Sequence, residues 1–311
     1  MDKLAATLGI TSLSKRQASR MAADLDGQVT AFRTVPGHLT PSFGPLVPDM
    51  VSAMYLEDGQ LGHEWKWLGP RINELVSRVA LARTAADQRA GALAGDDRAV
   101  APESLSRDTW RLVEGAASYV HACKDLVMLG DPIEEGPCFA LIRASIELAA
   151  ACHWILAPRQ RDERVERYLR WKGQNLRDAD RGWEALPAQG KPPSDAARKE
   201  LVAIAEKRPG VKASAVAAAK VGSLDLVREV GKRVETVPPL LFTWQLASAH
   251  AHGRGWADIG WAVVPLDDGT PEPLELTGIA SRTVAPAEAA RLLVDKTVDL
   301  YALRAGLRSS R

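Results

Sequence analysis

PCFALIRASIELAAACHWILAP, residues 137–158, is the most apolar stretch of the chain. It is long enough to cross a bilayer, but it carries Arg143, Glu147 and His153. Charged groups at mid-membrane cost several kcal/mol each, so the stretch reads as a helix buried in a soluble protein rather than a membrane span. A helix apolar on nearly every side needs other helices around it. The expected fold is therefore all-α, a helical bundle built around this segment.

The rest of the chain supports that expectation. Apolar residues recur at spacings of three and four, and β-branched runs are few. The periodicity predicts helices over 2–8, 15–31, 71–93, 105–129, 137–156, 161–186, 195–207, 223–235, 239–251 and 285–307, punctuated mostly by Pro and Gly. Ser194 is placed to cap the helix that begins at 195. Between 256 and 280, WADIGWAVVPL and PLELTGI flank DDGTPEP, a pattern that predicts a small β-hairpin excursion. From about 34 to 70 the sequence is rich in Pro and Gly and lacks periodicity, so it is expected to be an arm. GDDRAVAPES at 95–104 reads as a loop. The implied organisation is a helix-turn-helix over 1–35, an arm with one helix over 36–100, and a helical domain over 101–311.

Composition narrows the function classes. The 311 residues are 46% hydrophobic and 25% charged, with a formal net charge of +1. That balance excludes a strongly basic nucleic-acid coat, though not a local basic patch. Three cysteines without a CxxC pair exclude a disulfide scaffold or zinc ribbon and suit a reducing, cytoplasmic setting. No signal peptide is recognised at the start, and no membrane partner is expected. His153, His250 and His252 could in principle ligate a metal, but the ExxH pairs of di-metal bundles are absent; no metal site and no cofactor are expected.

Three polar constellations stand out. Arg143 and Glu147 lie four apart, on one face of the apolar helix, either as a structural pair or as the floor of a polar pocket. Trp244, Ser248 and His252 share a face of the 239–251 helix, His250 points elsewhere, and Gly253 is a natural helix stop. A Ser248–His252 pair can in principle pass a proton, although triads normally draw on several elements. In RDERVERYLRWKGQNLRDADRGW, 161–183, the basic residues Arg167, Arg170, Lys172 and Arg177 interleave with Trp171. They form either a solvated face or a surface that stacks on and neutralises single-stranded RNA. The expectation is that Arg143, Glu147, Ser248 and His252 converge on one pocket.

The N-terminal run DKLAATLGITSLSKRQASRMAADLDGQVTAFRT, residues 2–34, fits a helix-turn-helix with Gly9 at its turn and Ser14 and Gln17 as a capping box. It closely resembles a segment of mutator-type insertion-sequence transposases that is associated with DNA binding. The resemblance implies DNA contact through Lys15, Arg16, Ser19 and Arg20. It ends near Val35, where the family's first catalytic aspartate would follow, and no strand-rich core follows to gather three carboxylates on two metals. The segment is expected to be a relic rather than part of a working transposase.

IRASIELAAACHWIL (142–156), ERVERYLR (163–170) and WQLASAHAHGRGW (244–256) resemble actinobacterial helical proteins similar to the HEPN-like families. The matching positions are Arg143, Glu147, Glu163, Arg164, Arg167, Ser248, His252 and Gly253. The resemblance implies a helical, homodimeric domain with RNA as partner and a role in defence or stress. The catalytic Arg-x4-6-His of active HEPN ribonucleases occurs here only as Arg33 to His38, across Pro36 and Gly37. A ligand- or RNA-binding relative is therefore expected ahead of an enzyme. The alternative is a metal-independent ribonuclease with His252 as base and Arg143 or Arg254 on the phosphate.

Overall fold

The apolar segment 137–158 does become the core of the molecule. The structure, a computed structural model, describes residues 61–86, 91–128, 135–185, 194–218, 220–259, 263–265, 271–273 and 278–307. In chain order the elements are α1 (Leu61–Ala86), α2 (Gly91–Val100), α3 (Leu105–Met128), α4 (Glu135–Leu156), α5 (Arg161–Glu184) and α6 (Ser194–Glu206). Then follow α7 (Ala213–Ala217), α8 (Ser223–Gly231), α9 (Leu240–Ala251), α10 (Trp256–Ile259), the short strands β1 (Val263–Pro265) and β2 (Pro271–Pro273), and α11 (Gly278–Ala305). The fold is an all-α bundle. β1 and β2 pair antiparallel, with Val264 opposite Glu272.

α4 sits at the centre, packed by α3, α11, α9, α8 and α5. Phe139, Ile142, Ile146, Ala149, Ala150, Ile155 and Leu156 on it are all fully buried. Each large aliphatic or aromatic side chain so buried contributes about 1.5–3 kcal/mol. Two polar side chains share this interior without penalty. Ser145 donates from Oγ to the Ala116 carbonyl of α3 at 2.8 Å, and the Thr297 hydroxyl bonds the Leu293 carbonyl at 2.7 Å.

The C-terminal end of α4 points its unpaired carbonyls at three arginines. Arg167 donates to the Trp154 carbonyl at 2.8 Å, and Arg304 to those of Leu156, Ala157 and Pro158. Arg164 reaches the carbonyls of Pro158 and Arg159. Guanidinium groups suit the negative end of a helix dipole. Arg164 is itself buried and is neutralised bidentately by the fully buried Asp96 of α2, at 2.7 and 2.8 Å.

That contact explains one departure from expectation. Residues 95–100, expected as part of a loop, belong to α2, because Leu93 and Val100 are buried and Asp96 is fixed by Arg164. A second departure is α1, which begins at Leu61 and runs through Pro70, so 61–70 is helix rather than arm. Its buried residues Trp65, Leu68, Ile72, Leu75, Val79 and Ala82 follow alternating steps of three and four. Such a seam facing α3 and α11 outweighs the breaking tendency of one proline. Both α1 and α2 are thus part of the bundle. Ser194 also differs, since its hydroxyl donates to Asp180 of α5 at 2.5 Å instead of capping its own helix. Trp256–Ile259, expected as strand, is helical.

The helix-turn-helix and arm expected over residues 2–60 lie outside the described residues, as does the turn expected between β1 and β2.

Candidate functional site

The polar residues foreseen on two separate helices meet where α9 lies along α4. Trp244 contacts Glu147 while His250 contacts Phe139, so the two helices run antiparallel. Within α4, Arg143 Nε donates to Glu147 Oε1 at 3.0 Å, one turn away. The same oxygen accepts the Trp244 indole N–H at 2.9 Å. The guanidinium also lies 5.8 Å from the Trp244 ring centroid, within cation–π range. Arg143 Nη1 then stands 3.0 Å from His252 Nε2, at the end of α9.

The termination of α9 delivers His252 to that place. Gly253 adopts φ +60°, Arg254 N–H bonds the Ala249 carbonyl at 2.8 Å, and Gly253 N–H bonds that of His250 at 3.2 Å. This is a Schellman ending, which needs a residue tolerant of the left-handed region. The expected helix stop at Gly253 is where the chain places it.

Arg143 and Glu147 are each 28% exposed at the side chain, and His252 is exposed. The cluster is therefore anchored in the bundle yet open to solvent. Arg143 Nη2 makes no hydrogen bond to a described residue, which leaves its two N–H donors for an anion.

Ser248 does not join this network. Its Oγ is inaccessible and has no hydrogen-bond partner among the described residues, so no Ser248–His252 pair forms. His250, expected to point elsewhere, also faces α4. It stacks on Phe139, with ring centroids 3.9 Å apart and planes 4° apart.

Most of the basic residues of α5 pair with groups of the protein itself, although the buried Nε of Arg170 has no hydrogen-bond partner among the described residues. Arg167 bonds Glu163 and Glu229, Arg170 lies 3.9 Å from Glu166, and Arg177 bonds the carbonyls of Ala217 and Ala218. Lys172 pairs with Glu103 at 2.8 Å and Asp108 at 3.2 Å. These tertiary partners were not legible from the mixed charges of the segment.

One cluster went unforeseen. Tyr168, buried on α5, donates to Asp108 Oδ2 at 2.8 Å, the same oxygen that Lys172 reaches. Burial, followed by the hydrogen bond to Asp108, pushes the Tyr168 hydroxyl well above the usual range. Burial pulls the Lys172 ammonium down, but Glu103 and Asp108 outweigh it and raise the ammonium overall. The signal was the four-residue spacing of Tyr168 and Lys172, which puts both on one face.

Among the described residues no group of three or more His, Cys, Asp or Glu side chains is placed to hold a metal ion. Cys123, Cys138 and Cys152 are buried free thiols. The hydrogen bond with Cys138, and then burial, raise the Cys123 thiol well above its ordinary range, which suppresses the nucleophilic thiolate. Lys15, Arg16, Ser19 and Arg20 lie outside the described residues.

No protein-family model, no curated protein and no solved structure matches the chain.

Proposed function

We propose that this protein is a helical RNA-binding protein and not a working transposase, with Arg143 and His252 as the seat for an RNA phosphate. The observation that carries this reading is Arg143. Its guanidinium is clamped by Glu147, faces His252 across the α4–α9 seam, and makes no bond from Nη2 to a described residue. Arginine is suited to planar, multidentate recognition of phosphate oxygens, and a clamped arginine loses less conformational freedom on binding. Trp244 beside it supplies an aromatic surface of the kind used with single-stranded bases. The HEPN-like resemblance supports the same partner, a homodimer, and a role in defence or stress.

The protonation pattern favours binding over cleavage. Arginine only donates, so a hydrogen bond between the two requires the tautomer in which His252 Nε2 accepts and Nδ1 carries the proton. The single lone pair of the ring is then directed at Arg143, leaving none to take a proton from a ribose hydroxyl.

Anisotropy of a labelled single-stranded RNA, titrated with the full chain at several salt concentrations, tests the proposal. Arg143→Gln is expected to weaken binding by roughly tenfold to a hundredfold, the loss of one charge-assisted contact of about 1.5–3 kcal/mol. The salt slope is expected to fall by about one. RNA that binds the variant as tightly as the wild type would refute the assignment. RNA that is shortened by the wild type, but not by His252→Ala, would move the protein to the ribonuclease alternative.

A further inference from the structure

An opening lies between α3 and α5, lined by none of the residues of the α4–α9 cluster. Its volume is about 340 Å³, and Asp108, Arg111, Leu112, Trp171, Lys172 and Asn175 line it. That is near the lower end of the range for small-molecule pockets, roughly 300–1,000 Å³.

The walls divide by chemistry. Leu112 and Trp171 offer apolar and aromatic surface. Lys172 is held in place by Glu103 and Asp108, and Asp108 is in turn held by the buried Tyr168 hydroxyl. Behind the opening, then, is a braced polar frame rather than a set of loose surface chains. Arg111 and Asn175 differ from it, since neither makes a hydrogen bond or ion pair with any described residue, and both are exposed. Lys172 is offset by Glu103 and Asp108, so the cation left for an anion at the opening is Arg111. A free guanidinium, a free carboxamide that both donates and accepts, and an indole together fit a flat heteroaromatic ring with an anionic substituent.

We infer that this opening binds a nucleoside monophosphate, with the base against Trp171 and read by Asn175, and the phosphate on Arg111. The assignment does not depend on the Arg143–His252 reading.

Saturation-transfer NMR and calorimetry with AMP, adenosine and inorganic phosphate test it on the full chain. AMP is expected to bind, adenosine roughly tenfold more weakly, and phosphate alone weakest, because base and phosphate contacts act together. Arg111→Gln removes no hydrogen bond or ion pair to a described residue, so the fold is expected to stay intact, and AMP affinity is expected to drop to about that of adenosine. Trp171→Leu is expected to abolish binding of both. Arg143→Gln serves as the control for the other site and is expected to leave AMP binding unchanged. The inference is overturned if AMP does not bind at millimolar concentration, if Arg111→Gln binds AMP like the wild type, or if Arg143→Gln alone removes binding.

Discussion

Arg143 Nη1 and His252 Nε2 stand 3.0 Å apart although 109 residues separate them in the chain. The contact ties the central helix to the C-terminal end of α9 at the protein surface. It also fixes the chemistry of both partners, because a guanidinium cannot accept and the imidazole must. An anion arriving here finds an oriented cation backed by the Glu147 carboxylate rather than a flexible side chain.

Gly253 holds the histidine in that position through its left-handed backbone. A side chain there meets no atom within 4 Å, so the cost of replacing it is conformational and not steric. Gly253→Ala is expected to lower stability by about 1–2 kcal/mol in urea titration, the penalty of an L-residue in this region. RNA affinity is expected to fall with it, as His252 shifts.

Ser248 sits beside the cluster without joining its hydrogen bonds. Its buried hydroxyl has no partner among the described residues. Removing an unsatisfied buried hydroxyl relieves a desolvation cost, so Ser248→Ala is expected to raise stability by about 1 kcal/mol. RNA binding is expected to be unchanged, which a Ser248-dependent chemistry would not permit.

Asp96 and Arg164 form the buried ion pair that locks α2 to the start of α5. Asp96→Ala leaves a guanidinium that is 2% exposed without its counter-charge. Breaking one side of such a pair costs about 3–5 kcal/mol, and a fall of that size in the urea-derived unfolding free energy is expected.

His153, on α4, is buried against Thr297 of α11. Burial, and secondarily the charge of Arg233, lower its pKa from 6.5 to about 4. The unfolded chain therefore binds a proton that the folded chain refuses between those values. Stability is fully present above pH 6.5 and falls as pH drops toward 4, by about 3 kcal/mol at the end of the window. His153→Gln is expected to flatten that slope in thermal melts recorded across it, whereas an unchanged slope would assign the effect to other groups.

Much of the fold was legible because α4 announces itself. A stretch apolar on nearly all sides with a few charges reads as a core helix, and the four-residue spacing of Arg143 with Glu147 puts both on one face. The Pro70 and Gly95 regions depart from expectation for a local reason. Proline and glycine are helix-breaking on average, but the buried seam of α1 and the Asp96–Arg164 contact are tertiary, and a short window does not contain them. The site was half legible for the same reason. Trp244 and His252 were placed on one face by spacing, and Gly253 by its type, but their meeting with Glu147 and Arg143 depends on antiparallel packing of α9 on α4. The burial of Ser248 away from His252, and the stacking of His250 on Phe139, likewise depend on that packing rather than on spacing.

The most direct test is a long-range ¹⁵N–¹H NMR correlation of the His252 ring in the full chain, recorded before and during titration with single-stranded RNA. The account predicts a free protein with the proton on Nδ1 and Nε2 as acceptor, and a His252 signal that shifts in step with RNA saturation. A ring protonated on Nε2 at the outset, or a His252 signal unmoved while RNA saturates the protein, would contradict it.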